Sequence, residues 1–343
     1  MSKEKKDLFK SVIEKANPKF LKDKRNWLGV DGGFGYFKVA FYDDDGELRF
    51  IKFLSVLAYA NNDHKFDQLV EYKGKRYWVG ESALLQPTEQ IQDIKDYTSL
   101  KKHHPILLHH AIKMAGKEQA ARDGKLNIVV GLSPAHSDDR ESFLEENISY
   151  TIDGETFHHN SIFFKEQGGG AISALNHKVT YKSFIVVDGG FNTIDVAQAF
   201  KTPQGISVAS LGAHEGRGFI MVAEKVRSLI ASEYKYNVSI KEVTEIIENG
   251  YFDVRGKRYN IKEIIRKAKA AYTKGLTTFL ENKYGEYFNK SEKVFFVGGV
   301  AYFISPSKEN ANFKVVGKAE FYNAIGYLTQ GIVDYNKYLK ENR

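Results

Sequence analysis

The sequence predicts a duplicated α/β fold: two related halves, each a mixed β-sheet flanked by helices. Three observations predict it. The motif Val-Asp-Gly-Gly-Phe occurs twice, beginning at Val30 and at Val187. Each copy ends one strand-like segment and is followed by two more. Helix-period stretches then follow in both halves.

The bulk properties allow this. A chain of 343 residues has room for two domains. An apolar share of 42% with 13% aromatics supports a real core. There is no apolar run of about 18 residues, the length that marks a membrane span. The N-terminus lacks the continuous apolar stretch of a signal peptide. With no cysteine, a disulfide framework and a thiolate metal site are excluded. These features lead us to expect a cytoplasmic protein. The net charge of +7 is unevenly placed, because residues 1–26 hold nine Lys or Arg against four Asp or Glu. A nucleic-acid surface over the whole fold is therefore not indicated. This basic arm reads as a solvated leader helix or as an element touching DNA or an acidic partner.

Pro18 separates the arm from the first strand, and Phe9, Val12 and Ile13 share a helical face that suits docking. Trp27–Val30 reads as a strand ending in Asp31-Gly32-Gly33. Phe37–Tyr42 is the next strand, Asp43–Gly46 a hairpin turn, and Leu48–Leu57 a third strand. Strands joined by tight turns pair antiparallel, so a meander opens the sheet. Residues 58–125 read as an inserted module, with a hairpin at Tyr72–Tyr77 and a helix presenting Leu107, Ala111 and Met114 on one face. Leu126–Leu132 and Ser161–Phe164 are buried-type strands. The second is followed by Glu166-Gln167-Gly168-Gly169-Gly170 and by a helix beginning at Ala171–Leu175.

The second half repeats the plan. Phe184–Val187, Ile194–Phe200 and Gly205–Leu211 are strands, and Phe219–Glu233, Ile240–Glu248 and Ile261–Lys283 are helices. A small hairpin spans Phe252–Tyr259. Val294–Val297 is a last buried strand running into Gly298-Gly299, and a helix beginning near Glu320 closes the chain.

Aligning Val30 with Val187 sets VDGGFGYFKVA against VDGGFNTIDVA, identical at seven of eleven positions and 157 residues apart. A spacing this long indicates a duplicated half-domain; solenoid repeats recur at roughly 20–50 residues. The chemistry of such a loop is legible. Paired glycines let the backbone turn sharply with its amides exposed, and a nest of amides binds phosphate oxygens. An aspartate at the strand end suits Mg²⁺, held mostly through water. Lys38 aligns with Asp195, so only the first copy offers a cation to phosphate. No G-x-x-x-x-G-K-[ST] loop is present, and Gly33-Phe34-Gly35 lacks the third glycine of a dinucleotide fingerprint. His103-His104, His109-His110 and His158-His159 read as packing or surface histidines, because zinc sites need a wider set of ligands.

A doubled strand–loop–strand phosphate clamp resembles the actin-like ATPase superfamily. Within it the chain is most similar to the bacterial plasmid-segregation actins of the ParM (StbA) type, from about Trp27 to the C-terminus. The resemblance implies an actin-like (ribonuclease H-like) α/β fold of duplicated domains, each a mixed five-stranded sheet with flanking helices, and a nucleotide cleft between them. It divides the chain into the arm 1–26, a first domain of 27–170 plus 320–343 with a small subdomain at about 58–125, and a second domain of 171–319 with a helical subdomain at about 213–290.

The resemblance also assigns roles. Asp31, Gly33 and Lys38 match the family's first phosphate loop, with Gly32, Phe34 and Gly35 beside them. Asp188, Gly190, Thr193 and Asp195 match the second, with Gly189, Phe191 and Asn192. Asp31 and Asp188 are the expected metal ligands, and Asp188 counts among the catalytic residues. Glu166, 22 residues before Asp188, matches the glutamate that polarises the attacking water, with Gln167 as the alternative. Gly298, Gly299 and Val300 match the adenosine motif. The tail Asn323–Tyr327 matches the closing helix. Phe34, Gly35 and Tyr36 stand where the family carries a Ser, Thr or Asn on phosphate, and Phe191 where glycine is common.

The expected cofactors are ATP, with GTP as the alternative, and Mg²⁺. The expected function is an ATPase that polymerises into filaments for plasmid or DNA segregation. Its expected partners are other copies of itself, head to tail, and a DNA-binding adaptor or DNA at the arm, with no membrane. A kinase or a regulatory ATPase that does not polymerise is the rival on the same fold.

Overall fold

Central strands of a covered sheet are buried on both faces and read as unbroken apolar runs. Trp27–Val30 is such a run, and it opens the first strand. The computed structural model describes residues 10–60, 69–94, 96–132, 138–166, 168–176, 180–203, 205–304 and 311–342. They belong to two compact units, residues 1–178 with 321–343, and residues 179–320.

In the first unit, β1 (Trp27–Gly32) is buried from Trp27 to Asp31. β2 (Tyr36–Tyr42) and β3 (Leu48–Leu54) follow antiparallel. The turn between them needs the left-handed φ of 80° at Gly46. The third strand does not run to Leu57, as the sequence suggested. It stops before Ser55, and β4 (Val56–Tyr59) joins a separate four-stranded sheet with β5 (Val70–Tyr72), β6 (Lys75–Val79) and β7 (Ile91–Asp93). Helix α1 (Tyr97–Met114) starts at an Asp96–Ser99 capping box. Leu107 and Ala111 are fully buried, but Met114, the last residue of the helix, is 49% exposed.

β8 (Asn127–Leu132) lies parallel to β1. After α2 (Arg140–Ile148) and the hairpin β9 (Ser149–Ile152)–β10 (Glu155–His158), β11 (Ser161–Glu166) lies parallel to β8. Helix α3 (Gly169–Asn176) follows. The sheet order is β11-β8-β1-β2-β3. The N-terminal segment is seated on this unit: residues 10–15 are helical, and Ile13, Ala16 and Leu21 are buried.

The second unit repeats the order. β12 (Ser183–Gly189), β13 (Thr193–Thr202) and β14 (Gly205–Glu215) form the meander. Helices α4 (Ile220–Tyr234) and α5 (Ile240–Asn249), the hairpin β15 (Tyr251–Val254)–β16 (Lys257–Asn260) and α6 (Lys262–Lys290) come next. β17 (Lys293–Val297) and β18 (Phe313–Val315) complete the order β14-β13-β12-β17-β18.

The last helix, α7 (Tyr322–Glu341), returns to the first unit and packs on β1, β8 and α3. Glycines permit the approach. A Cβ on Gly29 would lie 2.6 Å from the Leu328 nitrogen, and one on Gly170 would lie 2.7 Å from the Asn323 carbonyl. α3 therefore stays with the first unit, and the chain passes to the second nearer residue 178 than residue 170. No helix among the described residues is long and apolar enough to cross a membrane.

Candidate functional site

The two repeat copies fold into the same object. In each, a two-residue loop joins antiparallel strands: Phe34-Gly35 between Gly33 and Tyr36, and Phe191-Asn192 between Gly190 and Thr193. Gly33 N–H donates to the Tyr36 carbonyl at 3.1 Å, and Gly190 N–H to the Thr193 carbonyl at 2.9 Å. The register is also the same, with Asp31 facing Lys38 and Asp188 facing Asp195. One expectation needs correcting. The Gly33 and Gly190 amides close their own hairpins and are not free for phosphate, since a two-residue turn requires that bond. In the second loop the Phe191 and Asn192 amides have no acceptor among the described residues.

Each loop is held from behind by its carbonyls. Ser55 donates its hydroxyl to the Gly33 carbonyl at 2.6 Å and its amide to the Gly35 carbonyl at 3.0 Å. In the second loop the donors are backbone amides at the start of α4: Gly218 to the Asn192 carbonyl at 3.2 Å, Phe219 to that of Gly190 at 3.1 Å, and Ile220 to that of Phe191 at 2.8 Å. Gly218 has to lack a side chain, because a Cβ would sit 2.6 Å from the Gly190 and Phe191 oxygens. The sequence offered no sign of Ser55, which lies inside an apolar run.

The carboxylates differ as the alignment suggested. Asp31 is buried and takes an ion pair from Lys38 at 3.2 Å. Gly32 lies against His104, whose ring carbon a Cβ would meet at 3.7 Å. Burial pushes the His104 pKa down to about 4, so its ring is neutral, and Nδ1–H donates to Asn147 Oδ1 at 2.6 Å. A neutral ring under the first loop adds no second cation beside Lys38.

In the second unit Asp188 is buried, and a Cβ on Gly298, at φ 76°, would sit 2.5 Å from its Oδ1. Val300 packs on Gly189, where a Cβ would lie 3.0 Å from its Cγ1. Asp188, Gly189, Gly298 and Val300 are thus one packed group, and a side chain at Gly299 would enter open space. Burial raises the Asp195 pKa, although a hydrogen bond from Thr193 Oγ1 at 3.1 Å opposes the shift.

Glu166 is the last residue of β11, two strands from β1 in the sheet. It lines a cavity of about 720 Å³ with Gly169, Gly170, Tyr327 and Gln330. Gln167, the alternative, lies outside the described residues. Among the described residues no cluster of three or more acidic or histidine side chains could cage a metal. A single strand-end carboxylate such as Asp188 fits a different kind of site, in which Mg²⁺ keeps its waters and leans on substrate phosphates.

Residues 29–162 match the model of the N-terminal domain of actin-like proteins, and residues 186–308 match that of the C-terminal domain of the MreB-like archaeal actin homologues. Together they take in about three quarters of the chain. The chain belongs to the actin-like superfamily.

Solved structures agree on the fold. A subunit of a 15-stranded ParM filament from Clostridium botulinum superposes with a TM-score of 0.69 at 18% identity, covering 90% of this chain and 99% of that one. An archaeal actin homologue in complex with ADP gives 0.68 at 19% identity, covering 89% and 98%. Bacillus thuringiensis ParM with AMPPNP gives 0.61 at 16% identity, covering 90% and 99%. No curated protein matches by sequence.

Proposed function

We propose that this actin-like protein binds ATP with Mg²⁺ through the two hairpin loops, hydrolyses it, and assembles head to tail into filaments that move or position DNA. One observation carries the reading. Two loops of the same length and register, Asp31 against Lys38 and Asp188 against Asp195, stand at the same place in two sheets of the same order. A single DGG turn is only a hairpin, whereas a matched pair is a duplicated binding element.

The roles come from the chemistry. Lys38 supplies a positive charge to the phosphates. The amides of Phe191 and Asn192 donate to phosphate oxygens. Asp188, and Asp31 beside Lys38, provide hard oxygen for Mg²⁺ or its waters; the bound ion offsets phosphate charge. Gly298, Gly299 and Val300 leave room for the nucleoside, because Gly299 carries no side chain into open space. Glu166, or Gln167, orients the water. Catalysis of this kind is mostly positioning plus electrostatic stabilisation. The relatives with bound ADP and AMPPNP, and the one solved as a filament, support carrying these properties over.

The test is titration of a fluorescent ATP analogue with and without Mg²⁺, followed by light scattering of the full chain with ATP or ADP. Mg²⁺-dependent binding and an ATP-dependent rise at micromolar protein are expected. Binding without any rise would remove filament assembly, and no binding would remove the whole reading.

A further inference from the structure

Three of the four outer strands of the two large sheets are closed off, each in a different way. The first three residues of β11 are buried. β3 carries Arg49 and Lys52. β18 is three residues long with Lys314 at its centre. Cover, charge and shortness are the usual means by which an edge is kept from pairing with another chain.

The first half of β14 has none of them. The strand is 11 residues long, and among the described residues β13 is its one neighbour in the sheet. From Gly205 to Ala213 it contains no charged residue. Ser207, Val208, Ala209 and Ser210 are exposed, Val208 to 48%. Its far end is engaged by α6, since the Tyr284 hydroxyl bonds His214 Nε2 at 2.5 Å and donates to the Leu211 carbonyl at 3.5 Å. The open stretch is therefore Ile206–Ser210.

We propose that Ile206–Ser210 pairs with the same stretch of a second copy of this chain, antiparallel about a two-fold axis. In a contact between identical strands, a charge near the axis meets its own like, which is destabilising. Neutrality is what such a contact requires, whereas a different partner would be selected by complementary charge, and this stretch offers none. Centring on Val208 sets Ser207 against Ala209 and Ile206 against Ser210, so no two large side chains oppose each other away from the axis. A two-fold contact closes on itself. It joins two copies without propagating, so it is separate from head-to-tail assembly and needs no nucleotide.

The chain has no cysteine, which makes the test clean. Single cysteines are placed at each position from Ile206 to Ser210 in the full chain, with Met221→Cys, 47% exposed on α4, as control. Mild oxidation is carried out without nucleotide and with EDTA. Directly opposed residues in an antiparallel pair come within disulfide reach. Val208→Cys should give at least fivefold more disulfide dimer than the control, with the yield falling on both sides. Val208→Lys, with unchanged circular dichroism, should shift the nucleotide-free sedimentation equilibrium toward monomer at least tenfold. Dimer yields at the control level at all five positions, or a sedimentation profile unmoved by Val208→Lys, would overturn the proposal. Loss of the ATP response with these crosslinks intact would count against the filament reading alone.

Discussion

Ser55 carries two tasks at one position. It ends β3, and it fastens the first loop through the Gly33 and Gly35 carbonyls. Ser55→Ala leaves the half-buried Gly33 carbonyl without its hydroxyl donor, a loss of about 0.5–1.5 kcal/mol. We expect a lower midpoint in urea together with weaker nucleotide binding; a stability loss with unchanged binding would make Ser55 purely structural. For Asp188→Ala, calorimetry should show Mg²⁺-dependent ATP binding weakened by about 100-fold or more, equivalent to roughly 2.7 kcal/mol. Full retention would defeat the loop model. Glu166→Ala should leave binding intact and slow hydrolysis by about 100-fold, the lower range for a positioned acid–base group. Phosphate-release kinetics separates this from a structural role, in which binding falls as well. The alignment made Asp31, Lys38, Asp188 and Asp195 legible, because a duplicated motif shows itself in one chain. Ser55 and His104 were not, because both reach the first loop from other segments.

At the scale of elements, the strands that cross the centre of each sheet were readable as apolar runs. The break at Ser55 was not, because strand-forming residues continue on both sides from Leu48 to Tyr59. The helix over Ile240–Glu248 was readable, and its start is fixed locally by a Ser239–Glu242 capping box. Packing of α7 was not, since it depends on glycines far apart in sequence. A Cβ on Gly326 would lie 2.7 Å from the Gly170 Cα and overlap its carbonyl. Gly326→Ala should therefore destabilise the first unit by about 3 kcal/mol, the upper range for overpacking. Thermal melting checks this, and an unchanged melting temperature would mean that α3 and α7 can separate without loss.

Over the whole molecule, the buried histidines set an acid limit. Burial pushes His104 and His110 down to about 4 and His159 to about 3, and lowers His103 and His109. Folded, these rings stay neutral where the unfolded chain takes up protons, so the unfolded state binds more protons below the ordinary histidine value of about 6.5. Stability then rises with pH through that window, and is lost as pH falls from about 6.5 toward 4, by up to roughly 1.4 kcal/mol per pH unit for each such ring. Urea titrations at pH 7, 6 and 5 should show the midpoint falling steeply. A midpoint flat across that range would show that the rings gain protons without unfolding.

By itself the sequence determined that this chain is built twice over, where its two loops lie, and which residues differ between them. Those properties reside in local order: a repeat, a strand ending in glycines, a charge at a fixed offset. Tertiary structure decided which amides the loops use on themselves, which donors hold their carbonyls, and that α3 and α7 belong together. Those contacts join residues tens to hundreds of positions apart, and no local pattern encodes which distant hydroxyl, amide or glycine will arrive.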